Sequence, residues 1–278
     1  MSIKKIHFIA GLPRTGTTLL SAILNQNPNF HSGPNSYVLN MMICLDMVVK
    51  DSEMHLLNPN EKRLHKIFNS IIYNYHMDEE GLVCFDKNRG WTMYIDKIKK
   101  YINPSPKIIC TTRDIKEILT SFIMLLRKNN YREGNFIDKH LEKEKLNDDE
   151  RCRYLLGPGI LGQSIINLLN GLKKYPENIL LVDYEDLVNN TEETIRKIYN
   201  FLGEQYFEHN FKNIKRNYVE KDLEAYGVEY MHEIRSQIEK QVYDSETVLS
   251  ELIRDVCKTH PVLQEYDLFR KKEMIKKI

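Results

Sequence analysis

Short apolar runs recur along the chain at residues 6–10, 82–85, 107–112 and 179–183, each closed by polar or turn residues and separated by segments of helix length. That alternation predicts a parallel sheet covered by helices, since parallel crossovers are long and lay a helix on the sheet face. Between the first two runs, 37–49 is strongly apolar, and 61–75 sets Leu64, Ile67, Phe68, Ile71 and Ile72 at helical spacing. Both are expected to pack on the sheet. After the third run, 115–127 carries Ile118, Leu119, Phe122, Ile123, Leu125 and Leu126 along one broad face, which predicts a strand, a short turn and a helix. Gly157-Pro158-Gly159 punctuates the chain before a further helix at 160–175. Beyond the fourth run, Asn190 is placed as an N-cap with Glu193 three residues on, a stripe at Ile195, Ile198, Tyr199 and Leu202, and Gly203 as the stop. From 128 to 153 the composition turns polar, as expected of a solvated helix or mobile surface segment, with a lid over a binding site as the alternative. The last eighty residues are mixed, without a repeat, and Lys271-Lys272 and Lys276-Lys277 read as a solvated end.

Composition narrows the field. At 278 residues and 42% hydrophobic content the chain can bury a sizeable core as one domain over 1–278, with a helical insertion around 36–80 and a charged helix or lid segment around 128–156. Forty basic and thirty-nine acidic side chains leave a formal charge of +1, which argues against nucleic acid or an anionic membrane as the main partner. Any anion binding must be local. The five cysteines lack a C-x-x-C pair, and two lie in strand-like runs where a buried free thiol is expected. The first apolar run, behind Lys4-Lys5, is too short for a signal peptide, and no stretch approaches eighteen apolar residues. The expectation is a cytoplasmic protein without a membrane span; oligomeric state leaves no mark.

Gly11-Leu12-Pro13-Arg14-Thr15-Gly16-Thr17-Thr18 follows the first run and opens a helix-like stretch. A strand turning through glycines into a helix N-terminus presents backbone N–H groups at the positive end of the helix dipole, where a phosphate can sit. The frame from Gly11 to Gly16 is that of a triphosphate-binding loop, but Thr17 stands where its lysine belongs, and the basic side chain is Arg14, inside the loop. A donor with a two-unit mixed anhydride could be held by backbone N–H groups, the hydroxyls of Thr15, Thr17 and Thr18, and Arg14, without a metal ion. Arg113 ends the third run and Ser121 follows eight residues later on the next helix, so both can face the sheet's C-terminal edge as a second phosphate site.

With these two anchors in order, the sequence resembles the sulfotransferases that use 3′-phosphoadenosine 5′-phosphosulfate (PAPS). Pro13-Arg14-Thr15-Gly16-Thr17-Thr18-Leu19-Leu20 is similar to their 5′-phosphosulfate loop, and Lys107-Ile108-Ile109-Cys110-Thr111-Thr112-Arg113 with Ser121 to their 3′-phosphate strand and helix. Phe85-Asp86-Lys87 resembles the family's strand-end lysine, 26 residues before Arg113 as in the tyrosylprotein branch, and Tyr184-Glu185-Asp186-Leu187 its adenine-side segment. The resemblance covers about residues 5 to 203 and thins beyond; His232-Glu233-Ile234-Arg235 is a candidate closing segment, with Arg235 on a phosphate or simply on the surface. It implies a three-layer P-loop α/β fold with a mostly parallel sheet. It also implies in-line transfer of the sulfuryl group to a hydroxyl or amine, with release of adenosine 3′,5′-bisphosphate (PAP) and with Arg14 and Lys87 stabilising the leaving oxygen.

The family's two base positions depart from the pattern. The tyrosylprotein branch's glutamate aligns with Asn35, and the cytosolic branch's histidine with Arg89. His31 and Asp86 are the nearest titratable alternatives, each with a plain structural reading beside it: a loop histidine, and a partner for Lys87 or Arg89. A P-loop small-molecule kinase and a PAP- or PAPS-binding protein without transfer activity remain as alternatives. The acceptor, whether small molecule, glycan, lipid or peptide, is not written in the motifs.

Overall fold

The computed structural model describes residues 5–216, 218–239 and 243–275, so Lys4, Lys276 and Lys277 lie outside the described residues. In chain order, β1 (Lys5–Gly11), α1 (Thr17–Leu24), β2 (Phe30–Asn35), α2 (Val38–Lys50), α3 (Glu53–Leu57), α4 (Glu61–Tyr75) and β3 (Val83–Lys87) form the first half. The chain continues through α5 (Ile95–Tyr101), β4 (Ile108–Thr112), α6 (Ile115–Lys128), α7 (Asp148–Leu156), α8 (Ile160–Lys174), β5 (Ile179–Asp183), α9 (Tyr184–Asn189) and α10 (Thr191–Leu202). Four helices, α11 (Asp222–Tyr226), α12 (Ser245–Val248), α13 (Glu251–Thr259) and α14 (Pro261–Ile275), complete the described chain.

Five strands pair in the order β2-β3-β1-β4-β5, and every pairing is parallel. Strand alternation divides the core into two layers: Phe8, Ala10, Ile108, Cys110 and Leu181 face the side covered by α2, α4, α6 and α8. Ile9, Phe85, Ile109, Leu180 and Val182 face the side covered by α1 and α10. From β1 the chain builds one half of the sheet, then crosses to β4 on the other. The C-terminal end of β1 is therefore the switch point, where open α/β sheets bind ligands.

Departures from the sequence expectations have local causes. The fifth strand, β2, was not predicted: Phe30-His31-Ser32-Gly33-Pro34-Asn35 lacks an apolar run and contains a proline. An edge strand tolerates this, and its register shifts between Ser32 and Asn35. Asn190 precedes α10 as expected but its side chain caps nothing; Thr191 Oγ1 instead donates to the Leu187 carbonyl at 2.9 Å. Within the 128–156 segment α7 is a charged helix with one side turned inward, and no residue of the segment lines the cleft described below. Arg151 is buried and forks onto Asp138 at 2.7 and 2.9 Å, while Ile137, Cys152 and Leu155 join the core. The tract Asp148–Lys174 is long and apolar enough by composition for a membrane span, against expectation. Yet Leu155, Leu161, Ile165 and Leu168 within it are core residues. Lys271 and Lys272 are exposed, as expected of a solvated end, whereas Tyr266 and Arg270 of the same helix α14 are buried.

Candidate functional site

The loop from Gly11 to Gly16 is built by strain that glycine and one arginine accept. Gly16 adopts φ +85°, and a Cβ there would stand 3.0 Å from the Tyr184 ring; Arg14 itself takes φ +63°, rare for a side chain with a Cβ. Helices α4, α6 and α9 begin with side-chain caps from Asn60, Asp114 and Asp183, whereas α1 begins at Gly16 with none. Helices α2, α5, α8, α10 and α11 lack such a cap too, but only α1 starts in the cleft directly behind two arginines, where its first N–H groups can meet an anion. Pro13, Arg14, Gly16, Thr17 and Thr18 line one cleft. Thr15 does not: it is buried, and its hydroxyl donates to the Leu12 carbonyl at 2.5 Å and lies 2.5 Å from Thr111 Oγ1. The expected Thr15 hydroxyl contact is therefore used up in holding the loop to β4.

The two anchors meet. Arg14 Nε donates to Ser121 Oγ at 3.0 Å, and Arg14 Nη1 donates to the Met231 carbonyl. Arg113 Nη1 donates to the Arg14 carbonyl at 3.3 Å, its Nε to Glu117 at 2.9 Å, and its guanidinium lies over the Tyr184 ring, 4.3 Å from the centroid. Burial, and then the neighbouring Arg113 charge, hold the Arg14 guanidinium below its ordinary value. Two cations pressed together at an uncapped helix start are an arrangement that an anion relieves. Arg113 is fixed from behind by α14, because Tyr266 Oη accepts from the Arg113 N–H at 3.1 Å and donates to its carbonyl at 2.8 Å.

Lys87, on the end of β3, also faces the cleft and is 2% exposed. Burial lowers it from 10.5 to about 8, while Glu220 works in the opposite direction. Its ammonium reaches Tyr218 Oη at 3.4 Å. Asn35 and Arg89 line the same cleft, and Arg89 too is held below its ordinary value by burial. Neither candidate base from the sequence is there. Asp86 points to the opposite sheet face, fully buried, and accepts from Ser36 Oγ, Trp91 Nε1 and His76 Nε2 at 2.6, 2.8 and 2.9 Å. It does not pair with Lys87 or Arg89. His31 lies on edge strand β2, 3.3 Å from Glu79. Arg235 reaches the cleft rim, half exposed and paired with Glu239 at 2.8 Å.

The candidate closing segment His232–Arg235 does line the cleft, but sequence reasoning missed the rest of the wall made by residues 218–239. Tyr218 meets Lys87, Tyr226 and Met231 line the cleft, and His232 does so with its Nδ1 2.6 Å from Asp222 Oδ1. No periodicity or motif marks this wall, since it is largely irregular chain held by side-chain contacts. Among the described residues no cluster of three or more His, Cys, Asp and Glu side chains could hold a metal ion.

A parallel sheet with a glycine-containing loop at its switch point and two arginines meeting beside it is an α/β architecture whose cleft suits an anionic ligand. The sulfotransferase family model matches residues 7–208, and the chain belongs to the sulfotransferase family. A candidate protein-tyrosine sulfotransferase of Caenorhabditis briggsae is 24% identical over 212 residues, 74% of this chain and 68% of that protein. Among solved structures, a mouse sulfotransferase complexed with PAP superposes with TM-score 0.54 at 12% identity, covering 97% of this chain and 89% of its own. The sulfotransferase domain of the curacin biosynthetic pathway gives 0.51 at 16% identity, covering 96% and 97%. At these identities the structures speak for the fold. The protein is a sulfotransferase.

Proposed function

We propose that the sulfuryl donor is PAPS and that this chain transfers its SO₃ group in line to an acceptor hydroxyl or amine. The observation that carries the reading is the convergence of Arg14, Ser121 and Arg113 on the uncapped start of α1, with the Tyr184 ring beside Gly16. The loop N–H groups and the Thr17 and Thr18 hydroxyls hold the 5′-phosphosulfate, Arg113 and Ser121 the 3′-phosphate, and Tyr184 the adenine side. The acceptor oxygen forms a bond to sulfur as the bond from sulfur to the bridging oxygen breaks, and PAP leaves. Arg14 and Lys87 meet the charge that develops on that oxygen, and a preorganised donor in such a site is worth about 3 kcal/mol. Thr17 in place of the loop lysine suits a donor with less charge than a triphosphate. A phenolic hydroxyl, as in the name of the nematode relative, is the first acceptor class to test.

The test compares thermal stabilisation by PAP with that by ATP and Mg²⁺, since a ligand bound only by the native state raises Tm. At a concentration of about 100 Kd, PAP is expected to add about 2.7 kcal/mol. Stabilisation by ATP and Mg²⁺ alone overturns the proposal in favour of a kinase. Binding of PAP without a sulfated product from a broad acceptor panel supplied with radiolabelled PAPS leaves a nucleotide-binding protein.

A further inference from the structure

Transfer to a hydroxyl requires that its proton go somewhere, and the positions aligned with the family's bases hold Asn35 and Arg89. The irregular wall supplies another group. Asp222, the first residue of α11, grips His232 twice: Oδ2 accepts from the His232 backbone N–H at 2.9 Å, and Oδ1 lies 2.6 Å from ring Nδ1. A carboxylate only accepts, so Nδ1 carries a proton, and in the neutral ring Nε2 is the nitrogen that can take up another. The backbone is clamped on both sides of the ring, by Arg14 on the Met231 carbonyl and by Arg216 on the His232 carbonyl at 2.8 Å. His232 lines the same cleft as Arg14 and Lys87.

We infer that His232, oriented by Asp222, is the general base of this sulfotransferase. The inference rests on the PAPS reading above. The acceptor O–H gives its proton to His232 Nε2 as its oxygen bonds to sulfur and PAP departs. Asp222 stabilises the imidazolium, which returns the proton to water after product leaves. The charged and titratable groups around the ring support this role. Glu220 Oε2 lies 3.7 Å from Nδ1 but is held by Arg216 at 3.1 Å, and Tyr226 packs with its ring centroid 5.7 Å away. Lys87 feels the charge of Glu220 from the β3 side, which places the leaving-oxygen cation and the base on one acidic and basic network.

Two phenols separate a base from a merely structural histidine. At pH 8, p-nitrophenol is largely ionised and needs no base, whereas 4-methylphenol does. With radiolabelled PAPS, His232→Gln is expected to slow sulfation of 4-methylphenol by about 100-fold or more and to leave p-nitrophenol within about tenfold. It should also abolish the acid limb of the 4-methylphenol rate profile and keep PAP affinity within about twofold, because no phosphate contact is assigned to it. Asp222→Asn, which keeps the shape, is expected to fall between wild type and His232→Gln. Equal losses on the two phenols, or an unimpaired rate on 4-methylphenol, overturn the assignment. Nitrogen-15 imidazole shifts of the wild-type PAP complex give a readout independent of any acceptor. An Nδ1–H tautomer supports the assignment and an Nε2–H tautomer overturns it. If wild type fails to bind PAP, the donor reading falls first; if PAP binds and only the histidine results fail, the donor reading stands without this base.

Discussion

Lys87 shows what a single buried cation costs in stability and how that cost depends on pH. Its proton is bound less tightly in the folded chain, about 8, than in the unfolded one, near 10.5, so between those pH values the unfolded state holds more protons and stability rises with pH. Below about 8 both states are charged and the full cost of burial is present, on the order of 3 kcal/mol at about 1.4 kcal/mol per pH unit. Lys87→Met is therefore expected to be more stable than wild type at pH 7 by on the order of 2 kcal/mol, with an advantage that shrinks from pH 8 to 10.5. Urea unfolding across that range checks it; a constant difference would show that desolvation is not the cause. Arg113→Ala tests the second anchor. Loss of a charged phosphate contact should weaken PAP by about 10- to 100-fold by calorimetry with the fold retained, and unchanged affinity would break the pairing of anchors. At this scale Arg14, Lys87, Arg113 and Ser121 were legible in the sequence because fixed spacings tie them to strand ends. Asp86 and His31 misled because the sequence shows that they are near the cleft but not which sheet face they take.

Among the elements, those with strong periodicity declared themselves: α4 and α6 follow their apolar stripes, and β4 and β5 are buried throughout. The elements that stayed hidden are held by tertiary contacts rather than by local pattern. β2 relies on pairing with β3 to extend a Gly-Pro stretch, and α14 mixes charged and apolar residues so that its buried side, Leu263, Tyr266 and Arg270, includes a charged residue that hides the stripe. The last of these matters to the site. Arg270 Nε sits 2.5 Å from Asp183, which caps α9 beneath Tyr184, and the Tyr266 hydroxyl holds both backbone groups of Arg113. Tyr266→Phe strips that bridge from a buried N–H and carbonyl. It is expected to cost about 1–3 kcal/mol in chemical denaturation and to weaken PAP, although the residue does not line the cleft. A variant that loses stability but keeps PAP affinity would uncouple α14 from the anchor.

For the molecule as a whole, near-neutral charge conceals a concentrated basic site: with a formal charge of +1, the cations that count are those of the cleft rather than of the surface. The same cleft brings together residues from Arg14 to Arg235, so chain segments far apart in sequence meet at one site. Arg14 is where they communicate. Its guanidinium is shared between Ser121 on α6 and the Met231 carbonyl next to His232. If the donor proposed above is right, its phosphosulfate competes for the same N–H donors, and nucleotide binding is expected to be felt one residue from the histidine before any acceptor is present. The expected kinetic consequence is a compulsory order, donor first and acceptor second. Product inhibition should show PAP competing with PAPS and not with the acceptor; competition with both would mean that the two substrates enter at random and that Arg14 carries no message between them.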